Sequence, residues 1–468
     1  MDAALRDLVD RGLLHRDRET GRYDLHPIVR RYAYDRLGGE ARADAHGRLR
    51  DYFAAVPPPE RVTTLDDLAP VIELYHHTVR AGQYDEACDL FYDRINKPTY
   101  YQFGAYQLRI ELLRALFPDG EDKPPRLKDE SAQAWTLNEL ANSYSLSGQP
   151  RRAVPLFEQQ IAIREKQGVE RSVAVGLGNL ACMAQIHIGA LRAAEANLRR
   201  QIALGREIED ERLEAVGHRE LGRLLACRGA WAEAEEELAT ALALFEEHGA
   251  TQSQGVTWAY CAQRVLLLAR WSALSGDPES EIANRRSATD AARRALGLAD
   301  ETARIRYPHE RDYVRAHWLL GAAHRANDDR DAAERHLSQA LTRCRGINMV
   351  DHEADILLDL ARLRHAQGHR EEALRLAEEA RLIAERSGYA FQGADVHLFL
   401  AELALGAGDT GAALGHAETA RELATCDGPP DHTYRVAYEE ARALLGRLGA
   451  DQSVGPSVRP SAGERAGR

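Results

Sequence analysis

The sequence lacks several features that would place it in an enzyme class or a membrane. Its six cysteines contain no CxxC pair, which excludes a zinc ribbon, and a disulfide framework is not expected in a chain of 468 residues. No apolar run reaches the ~18 residues of a membrane span, and no signal peptide opens the chain. The formal net charge of −12 disfavours nonspecific nucleic-acid binding. We therefore expect a cytoplasmic protein without membrane contact.

Motifs for nucleotide binding and catalysis are also missing. The phosphate-binding loop GxxxxGK[ST] does not occur, and Gly176-Leu177-Gly178 lies inside a predicted helical repeat without a preceding strand. Gly-x-Ser-x-Gly is absent, and His309-Glu310 lacks the second histidine of HExxH. His352-Glu353-Ala354-Asp355 falls at a predicted helix start, where acidic residues favour the helix dipole. We expect no cofactor, no metal and no catalytic activity, and a hydrolase hidden in the chain is the weaker alternative.

Alanine, leucine, arginine and glutamate dominate the sequence, and this composition predicts an all-α fold. A helical hairpin recurs about every forty residues, most clearly in two copies within residues 351–427. A glycine or aspartate closes the first helix of each hairpin, at Gly148, Gly189, Gly229, Gly276, Asp328, Gly368 and Gly408. An alanine follows five residues after most of these turns, where the second helix must cross closely over the first: Ala153, Ala194, Ala234, Ala333, Ala373 and Ala413.

These offsets are similar to those of the tetratricopeptide repeat. The resemblance predicts a right-handed superhelix whose concave face is lined by the first helix of each hairpin. A spacing near forty residues is typical of the longer variant found in kinesin light chains and in the sensor arrays of STAND proteins. The hairpin around Gly276 is irregular, since Glu281 takes the place of the alanine, and its extra length predicts a kink or an inserted turn.

Proline-rich breaks divide the chain into four predicted segments. Residues 1–56 form a partial winged-helix-like module, and residues 57–130 form a linker and a first degenerate helical repeat. Residues 131–450 form the repeat array, which ends in a capping helix. Residues 451–468 are rich in serine, proline, glycine and arginine and are expected to be disordered.

The front module carries a second resemblance. Residues 2–11 predict a helix, two short strands follow around a turn at residues 19–21, and a further helix begins at Pro27. This order is that of the back half of a winged helix, whose first helices would precede residue 1. The run from Leu25 to Ala33 resembles the Met-His-Asp motif of NB-ARC-type STAND ATPases, with Pro27 in the place of the usual aspartate. In that family the histidine, here His26, faces the β-phosphate of bound ADP.

The resemblance implies that His26 contacts a nucleotide only with an ATPase domain in trans or in a longer protein. A truncated gene, a split system and a decayed motif kept for packing all remain open, and in the last case His26 makes only a local hydrogen bond. A DNA-binding winged helix is disfavoured, because residues 1–56 hold eleven arginines and ten acidic residues. The helix before the wing carries Asp2, Asp7 and Asp10, which would face phosphates badly.

Candidate ligand residues follow from the repeat offsets. In this repeat family the residues thirteen, ten, six, three and two before each turn line the concave face. At the in-phase units these positions include Asn138, Asn142 and Asn179, although the whole chain has only eight asparagines. An asparagine offers a donor and an acceptor and therefore suits clamping of an extended peptide backbone. Helix capping and simple solvent exposure are the alternatives.

The same positions hold several arginines, namely Arg219, Arg223, Arg315, Arg325 and Arg362. They could form an anion-binding groove, to which Trp318 and His365 would add stacking. The chain is so rich in arginine that solvated side chains are the favoured interpretation. The sequence as a whole predicts a non-enzymatic protein- or peptide-binding sensor of a bacterial STAND-type signalling or defence protein. A stand-alone peptide-binding regulator or assembly scaffold is the alternative.

Overall fold

The computed structural model of the protein describes residues 2–17 and 23–452. The fold is all-α, as predicted, with one two-stranded sheet in the described residues. The chain separates into two compact units, Met1–Pro98 and Thr99–Arg468. The turn predicted at residues 19–21 and most of the predicted tail lie outside the described residues. The four-segment division drawn from the sequence stays a prediction.

The first unit begins with the predicted order of helix, strand, strand and helix. Strand β1 pairs antiparallel with strand β2, and Leu14 lies opposite Leu25. The helix that follows residue 38 was not predicted, because its sequence lacks a clear apolar period. The elements of this unit are α1 (Asp2–Asp10), β1 (Leu14–Arg16), β2 (Tyr23–Leu25), α2 (Pro27–Arg36), α3 (Gly39–Ala54), α4 (Ala69–Arg80) and α5 (Tyr84–Leu90).

The second unit is a stack of seven helical hairpins in the described part of the chain, preceded by one short helix and closed by one capping helix. Helix α9 continues as a π-helix over Leu180–Gln185. None of the described helices is both long enough and apolar enough to cross a membrane. The helices are α6 (Tyr106–Arg114), α7 (Glu130–Leu146), α8 (Pro150–Lys166), α9 (Glu170–Asn179), α10 (Leu191–Glu207), α11 (Glu211–Arg228), α12 (Trp231–Glu247), α13 (Thr251–Leu274), α14 (Pro278–Ile305), α15 (Glu310–Ala326), α16 (Arg330–Gly346), α17 (Val350–Ala366), α18 (Arg370–Ser387), α19 (Ala390–Leu405), α20 (Thr410–Thr425) and α21 (Arg435–Gln452).

Every predicted hairpin turn is present. The seven turn residues all have positive φ, from +60° at Asp328 to +85° at Gly368. This left-handed conformation is cheapest for glycine and is tolerated by aspartate. The six predicted alanines after the turns are fully buried at 0% exposure, which confirms that the two helices of each hairpin cross closely there.

The hairpin around Gly276 differs from its predicted form. Its two helices, α13 and α14, run without interruption for 24 and 28 residues. The extra residues therefore lengthen both helices, and neither helix is interrupted. Gly276 ends the first helix at φ +72°, and the Asp277 carboxylate caps the second by accepting from the Ser280 N–H at 3.1 Å.

Three hairpins pair a histidine of the first helix with a polar side chain of the second at the same register. The first residue lies eleven positions before the turn and the second eight positions after it. Ring nitrogens Nδ1 meet at 3.0 Å between His317 and His336 and at 2.9 Å between His397 and His416. Burial, together with the neighbouring His336, lowers the pKa of His317 to about 4. The third hairpin pairs a histidine with a glutamate at these positions. In each histidine–histidine pair at least one ring must be neutral, because a hydrogen bond between two Nδ1 atoms needs a lone pair on one of them.

Candidate functional site

Many residues at the predicted offsets line cavities in the repeat array, although Asn138, Asn142 and His365 do not. In the hairpin around Gly276, which the sequence treated as irregular, all five offset positions line one cavity: Gln263, Leu266, Arg270, Ala273 and Leu274. Positions thirteen, ten and six before the next turns contribute to the same cavity from α17 and α19, and positions ten, six, three and two contribute from α15. The first helix of each hairpin therefore faces inward, because its other face packs on the second helix.

The array closes on itself through contacts between its early and late hairpins. The Ala390 N–H donates to the His187 carbonyl oxygen at 2.8 Å, and the Arg192 N–H donates to Asp427 Oδ2 at 2.7 Å. The Asn348 amide donates to the Gly104 carbonyl oxygen at 3.3 Å. A Cβ on Gly104 would lie 2.0 Å from the Ile347 carbonyl oxygen, so only glycine permits this approach. Early and late parts of the array therefore meet across its concave side.

Closure divides the hollow into two cavities. Cavity 1 has a volume of about 510 Å³ and cavity 2 about 620 Å³, both within the ~300–1,000 Å³ of small-molecule sites. A gap of about 30 Å³ shares lining residues with both, among them Arg223, Tyr260, Arg315, Asp355 and Asp395. A volume of this size holds about one water molecule. An extended peptide therefore cannot run through the whole hollow unless these side chains move.

Cavity 1 contains four of the predicted residues, Asn179, Arg219, Arg223 and Arg315. Each of the three arginines has an acidic neighbour. Arg219 Nη2 lies 2.9 Å from Glu220 Oε1, and Arg223 Nη1 lies 3.8 Å from Glu220 Oε2. Arg315 Nη1 lies 3.3 Å from Asp312 Oδ1.

A further ion pair in cavity 1 joins Arg311 Nη2 to Asp351 Oδ2 at 2.7 Å. Burial alone would raise the pKa of Asp351, but Arg311 and His352 outweigh it and hold that pKa well below its usual value. Burial also lowers the pKa of His187 to about 3 and that of His352 to about 4, so both rings are neutral near pH 7. The charge of cavity 1 therefore comes from its arginines and acids.

Two of the three predicted asparagines contact each other. Asn179 Nδ2 donates to Asn138 Oδ1 at 3.1 Å, which joins the first helices of two successive hairpins. Asn142 is buried at 8% exposure on α7. Asn179 lines cavity 1, whereas Asn138 and Asn142 do not. Their use as a peptide clamp stays a prediction.

Cavity 2 contains Trp318, Arg325 and Arg362, and all three converge on Asp359. The Trp318 indole donates to Asp359 Oδ2 at 2.8 Å, Arg325 Nη2 lies 3.0 Å from Oδ1, and Arg362 Nη1 lies 3.7 Å from it. Nearby, Arg270 Nη2 lies 2.6 Å from Asp395 Oδ1. Arg270, Arg325 and Arg362 therefore each lie beside an acid of the described chain.

Asp355, like Glu402, lines cavity 2 without an ion pair in the described residues, and its carboxyl group accepts from Gln392 Nε2 at 3.0 Å. Burial raises the pKa of Asp355 to about 8, with help from Asp395 and Asp359 and against the Gln392 hydrogen bond and Arg223. Across the described chain, no group of three or more histidine, cysteine or acidic side chains is arranged to hold a metal ion.

The two predicted histidines are both exposed. His365 is exposed at the end of α17 and meets the Phe399 ring edge-on at 5.9 Å. His26 is exposed at the start of α2, where its Nδ1 accepts from the Ile28 N–H at 3.3 Å. This is the local hydrogen bond that the sequence allowed for His26.

The favoured interpretation of the arginines as solvated side chains is wrong. The side chains of Arg219, Arg223 and Arg315 are 10–15% exposed, and those of Arg325 and Arg362 are 27% and 21% exposed. The acids that neutralise them, Glu220, Asp312 and Asp359, lie outside the predicted offsets and were missed. Other inward acids were overlooked although a signal for them existed. The same offsets that selected the arginines also select Asp355, Asp395 and Glu402.

Comparison with known proteins supports the repeat assignment. Family models described as tetratricopeptide repeat match residues 136–169 and residues 312–386. The protein therefore contains tetratricopeptide repeats. None of the curated proteins matches the chain.

Several solved structures are similar to the chain at low identity. One is a Signal Transduction ATPase with Numerous Domains (STAND) protein with a tetratricopeptide repeat sensor from Pyrococcus horikoshii, at 14% identity and a TM-score of 0.36. The match covers 96% of this chain but only 59% of that one, so the chain spans less than two thirds of its length. A Rap protein complexed with competence and sporulation factor matches at 16% identity, with coverages of 75% and 98% and a TM-score of 0.45. Aspartyl phosphate phosphatase F from Bacillus subtilis matches at 12% identity, with coverages of 87% and 100% and a TM-score of 0.41.

Proposed function

We propose that the chain is a non-enzymatic sensor that binds a peptide or a protein segment inside its repeat array and reports the binding to a STAND-type ATPase domain. The observation that carries this proposal is the hollow of the array, whose two cavities are lined in large part by the first helices of successive hairpins. Tetratricopeptide repeats commonly present this face to a ligand. A ligand held between early and late hairpins favours the closed array, and such a preference is what a sensor requires.

The geometry restricts how a peptide can bind. The gap of about 30 Å³ between the cavities prevents a peptide from threading the hollow. We therefore propose that a peptide enters from one side and places a short segment in cavity 1. The Asn138–Asn179 pair on the neighbouring helices would hold the backbone that follows, because each amide keeps donor or acceptor capacity beyond their single shared hydrogen bond.

The first unit supplies a surface for the ATPase partner. Helix α2 has no buried residue, and its apolar side chains Ile28 and Tyr32 are 72% and 60% exposed. Large apolar groups exposed side by side mark interaction surfaces more often than isolated ones do. His26 opens the same helix, so a nucleotide-binding domain docked on α2 would lie beside it.

An affinity capture from lysate of the source cells tests this proposal, with bound proteins and peptides identified by mass spectrometry. We expect the wild-type chain to recover a nucleotide-binding ATPase and Ile28→Asp to lose it. Leu382→Asp is the matched control, because Leu382 is 58% exposed on the repeat array and should keep the ATPase. The double variant Asn138→Ala, Asn179→Ala, which removes the proposed clamp, should lose the peptide ligand while its circular dichroism stays unchanged. Recovery of no ATPase, or equal recovery by Ile28→Asp, would remove the STAND assignment.

A stand-alone peptide-binding regulator or scaffold is the second candidate, and one observation favours it. His26 Nδ1 already accepts a hydrogen bond from the backbone of α2, which is a sufficient structural role for this histidine. Under this alternative the capture recovers a peptide or protein whose binding depends on Asn138 and Asn179, and no ATPase.

A further inference from the structure

Cavity 1 is unusual because buried charged groups of both signs line it and keep unused hydrogen-bonding capacity. On the basic side, Arg315 is 8% exposed, and its Nε has no hydrogen-bond partner within the described residues. The same holds for Arg311 Nη1 and Arg223 Nε. These three atoms are N–H donors of guanidinium groups, which pair best with a carboxylate.

The acidic side of cavity 1 shows the complementary pattern. Glu220 is 3% exposed and Asp351 is 7% exposed. Glu220 Oε2 and Asp351 Oδ1 lack a hydrogen-bond donor in the described part of the chain, although the other oxygen of each carboxylate is paired. Gln201 is 1% exposed, and its Oε1 is a third buried acceptor without a donor in the described residues. Buried acceptors of this kind suit an ammonium group, which brings three donors.

The arginines are held in place for this task. The ring of Tyr260 lies under two guanidinium groups, with Arg223 at 5.1 Å and Arg315 at 5.6 Å from its centroid. The Arg311–Asp351 pair fixes a third arginine from the neighbouring helices. Such prior ordering lowers the entropic cost of binding, because the side chains do not have to be immobilised by the ligand.

Two simpler explanations account less well for the unpaired donors and acceptors of cavity 1. An ion-pair network with only a structural role would be expected to use most of its hydrogen-bonding atoms, since buried polar groups are almost always satisfied. A simple anion site would not place the carboxylates of Glu220 and Asp351 among its arginines, because they would repel phosphate or sulfate. The mixture of unused donors and unused acceptors therefore points to a ligand that carries both charges.

We infer that cavity 1 binds a zwitterion, either a free α-amino acid or a short peptide with both ends unblocked. Its carboxylate meets Arg315 and Arg311, and its ammonium group meets Glu220 and Asp351. This inference rests on the proposed function and names the ligand class of the same site. The volume of about 510 Å³ accommodates a ligand of this size.

The first experiment defines the ligand with the intact chain. Equilibrium dialysis against the common amino acids and a mixed-sequence library of di- and tripeptides, read by mass spectrometry, selects the compound that binds best. Its affinity is then compared with those of its N-acetylated and C-amidated forms. We expect each blocked end to weaken binding by about 10- to 100-fold, because a buried charged group then loses its partner.

Two variants assign the ends. In Arg315→Gln, amidating the ligand should no longer reduce its affinity much, whereas acetylating it should still do so. In Glu220→Gln, acetylation should have little effect on affinity and amidation should still reduce it. A residue that only supports the fold would weaken all three forms by the same factor. Arg381→Gln is the control, because Arg381 pairs with Glu378 at 2.7 Å on α18, outside both cavities. It should leave both losses unchanged.

The outcomes that overturn the inference are separate from those that overturn the proposed function. The inference is wrong if no compound of the panel binds, if blocked and unblocked forms bind equally, or if inorganic phosphate displaces the ligand. If either variant fails to fold, the comparison of blocked forms on the wild-type chain still decides. Capture of an ATPase together with a negative panel would leave the sensor assignment intact. A positive panel without an ATPase would support the zwitterion site and remove the STAND role.

Discussion

Replacing Asp355 by asparagine should stabilise the protein, and more so as the pH rises. The carboxyl group of Asp355 lines cavity 2, and burial raises its pKa to about 8. In the unfolded chain the same group ionises near pH ~3.9. Between these two values the unfolded state releases the proton and the folded state keeps it. Rising pH therefore favours unfolding over this whole window, and asparagine, which cannot ionise, removes the effect.

The magnitude follows from the width of that window. Each pKa unit corresponds to ~1.36 kcal/mol, so the full shift sets an upper limit of about 6 kcal/mol above pH 8. Cavity 2 has room for water beside the carboxyl group, and this water will stabilise the ionised form in the folded state. We therefore expect Asp355→Asn to gain about 2–3 kcal/mol at pH 8 and roughly a quarter of that at pH 5.

Chemical denaturation followed by circular dichroism at both pH values measures this gain. Asp359→Asn provides the matched control one helical turn further along α17. Asp359 is paired with Arg325 and accepts from Trp318, so its removal should destabilise the protein by at least about 1 kcal/mol at both pH values. If the unfolding free energy changes from pH 5 to pH 8 by the same amount in the wild type and in Asp355→Asn, the argument is refuted.

Three further changes test other parts of the structure. Because the pKa of His317 is lowered in the folded state, the protein loses stability as the pH falls from about 6.5 towards 4. His336→Gln, which removes the neighbouring ring, should reduce this loss of stability in acid denaturation. Gly104→Ala should break the closure of the array, seen as faster hydrogen exchange in residues 346–349, and unchanged exchange there would contradict the proposed contact. Ala373→Leu should cost about 1–3 kcal/mol of unfolding free energy by overpacking, whereas Leu374→Ala, at an exposed position, should cost less than about 0.5 kcal/mol.

The hairpins were predictable because each obeys a local requirement that the sequence repeats. A left-handed residue must end the first helix, and a small residue must follow where the helices cross. Asp328 was identified as a turn residue by spacing alone, and its φ of +60° confirms it. The same reasoning failed for the Gly276 hairpin. The missing alanine was taken as a sign of irregular structure, although its inward positions keep the common offsets.

The chemistry of the interior was less predictable. Counting arginines at inward positions detects only one sign of charge, so Asp355 and Asp395 were overlooked at the same offsets. The closure of the array leaves no periodic signal, because residues such as His187 and Ala390 meet only once and lie far apart in the sequence. The division of the hollow into two cavities depends on that closure and could not be expected from a repeat pattern.

The contacts that join early and late hairpins also bear on how the chain acquires its structure. In an open solenoid each unit touches only its neighbours, so folding can nucleate anywhere and spread stepwise. Here the backbone N–H of Arg192 donates to Asp427, 235 residues away, and the Gly104 carbonyl oxygen accepts from Asn348, 244 residues away. Such distant contacts raise the contact order and slow folding, because the long loop must close before the contact forms. Loss of the last two hairpins would therefore weaken the first ones, and the array should melt as a cooperative whole.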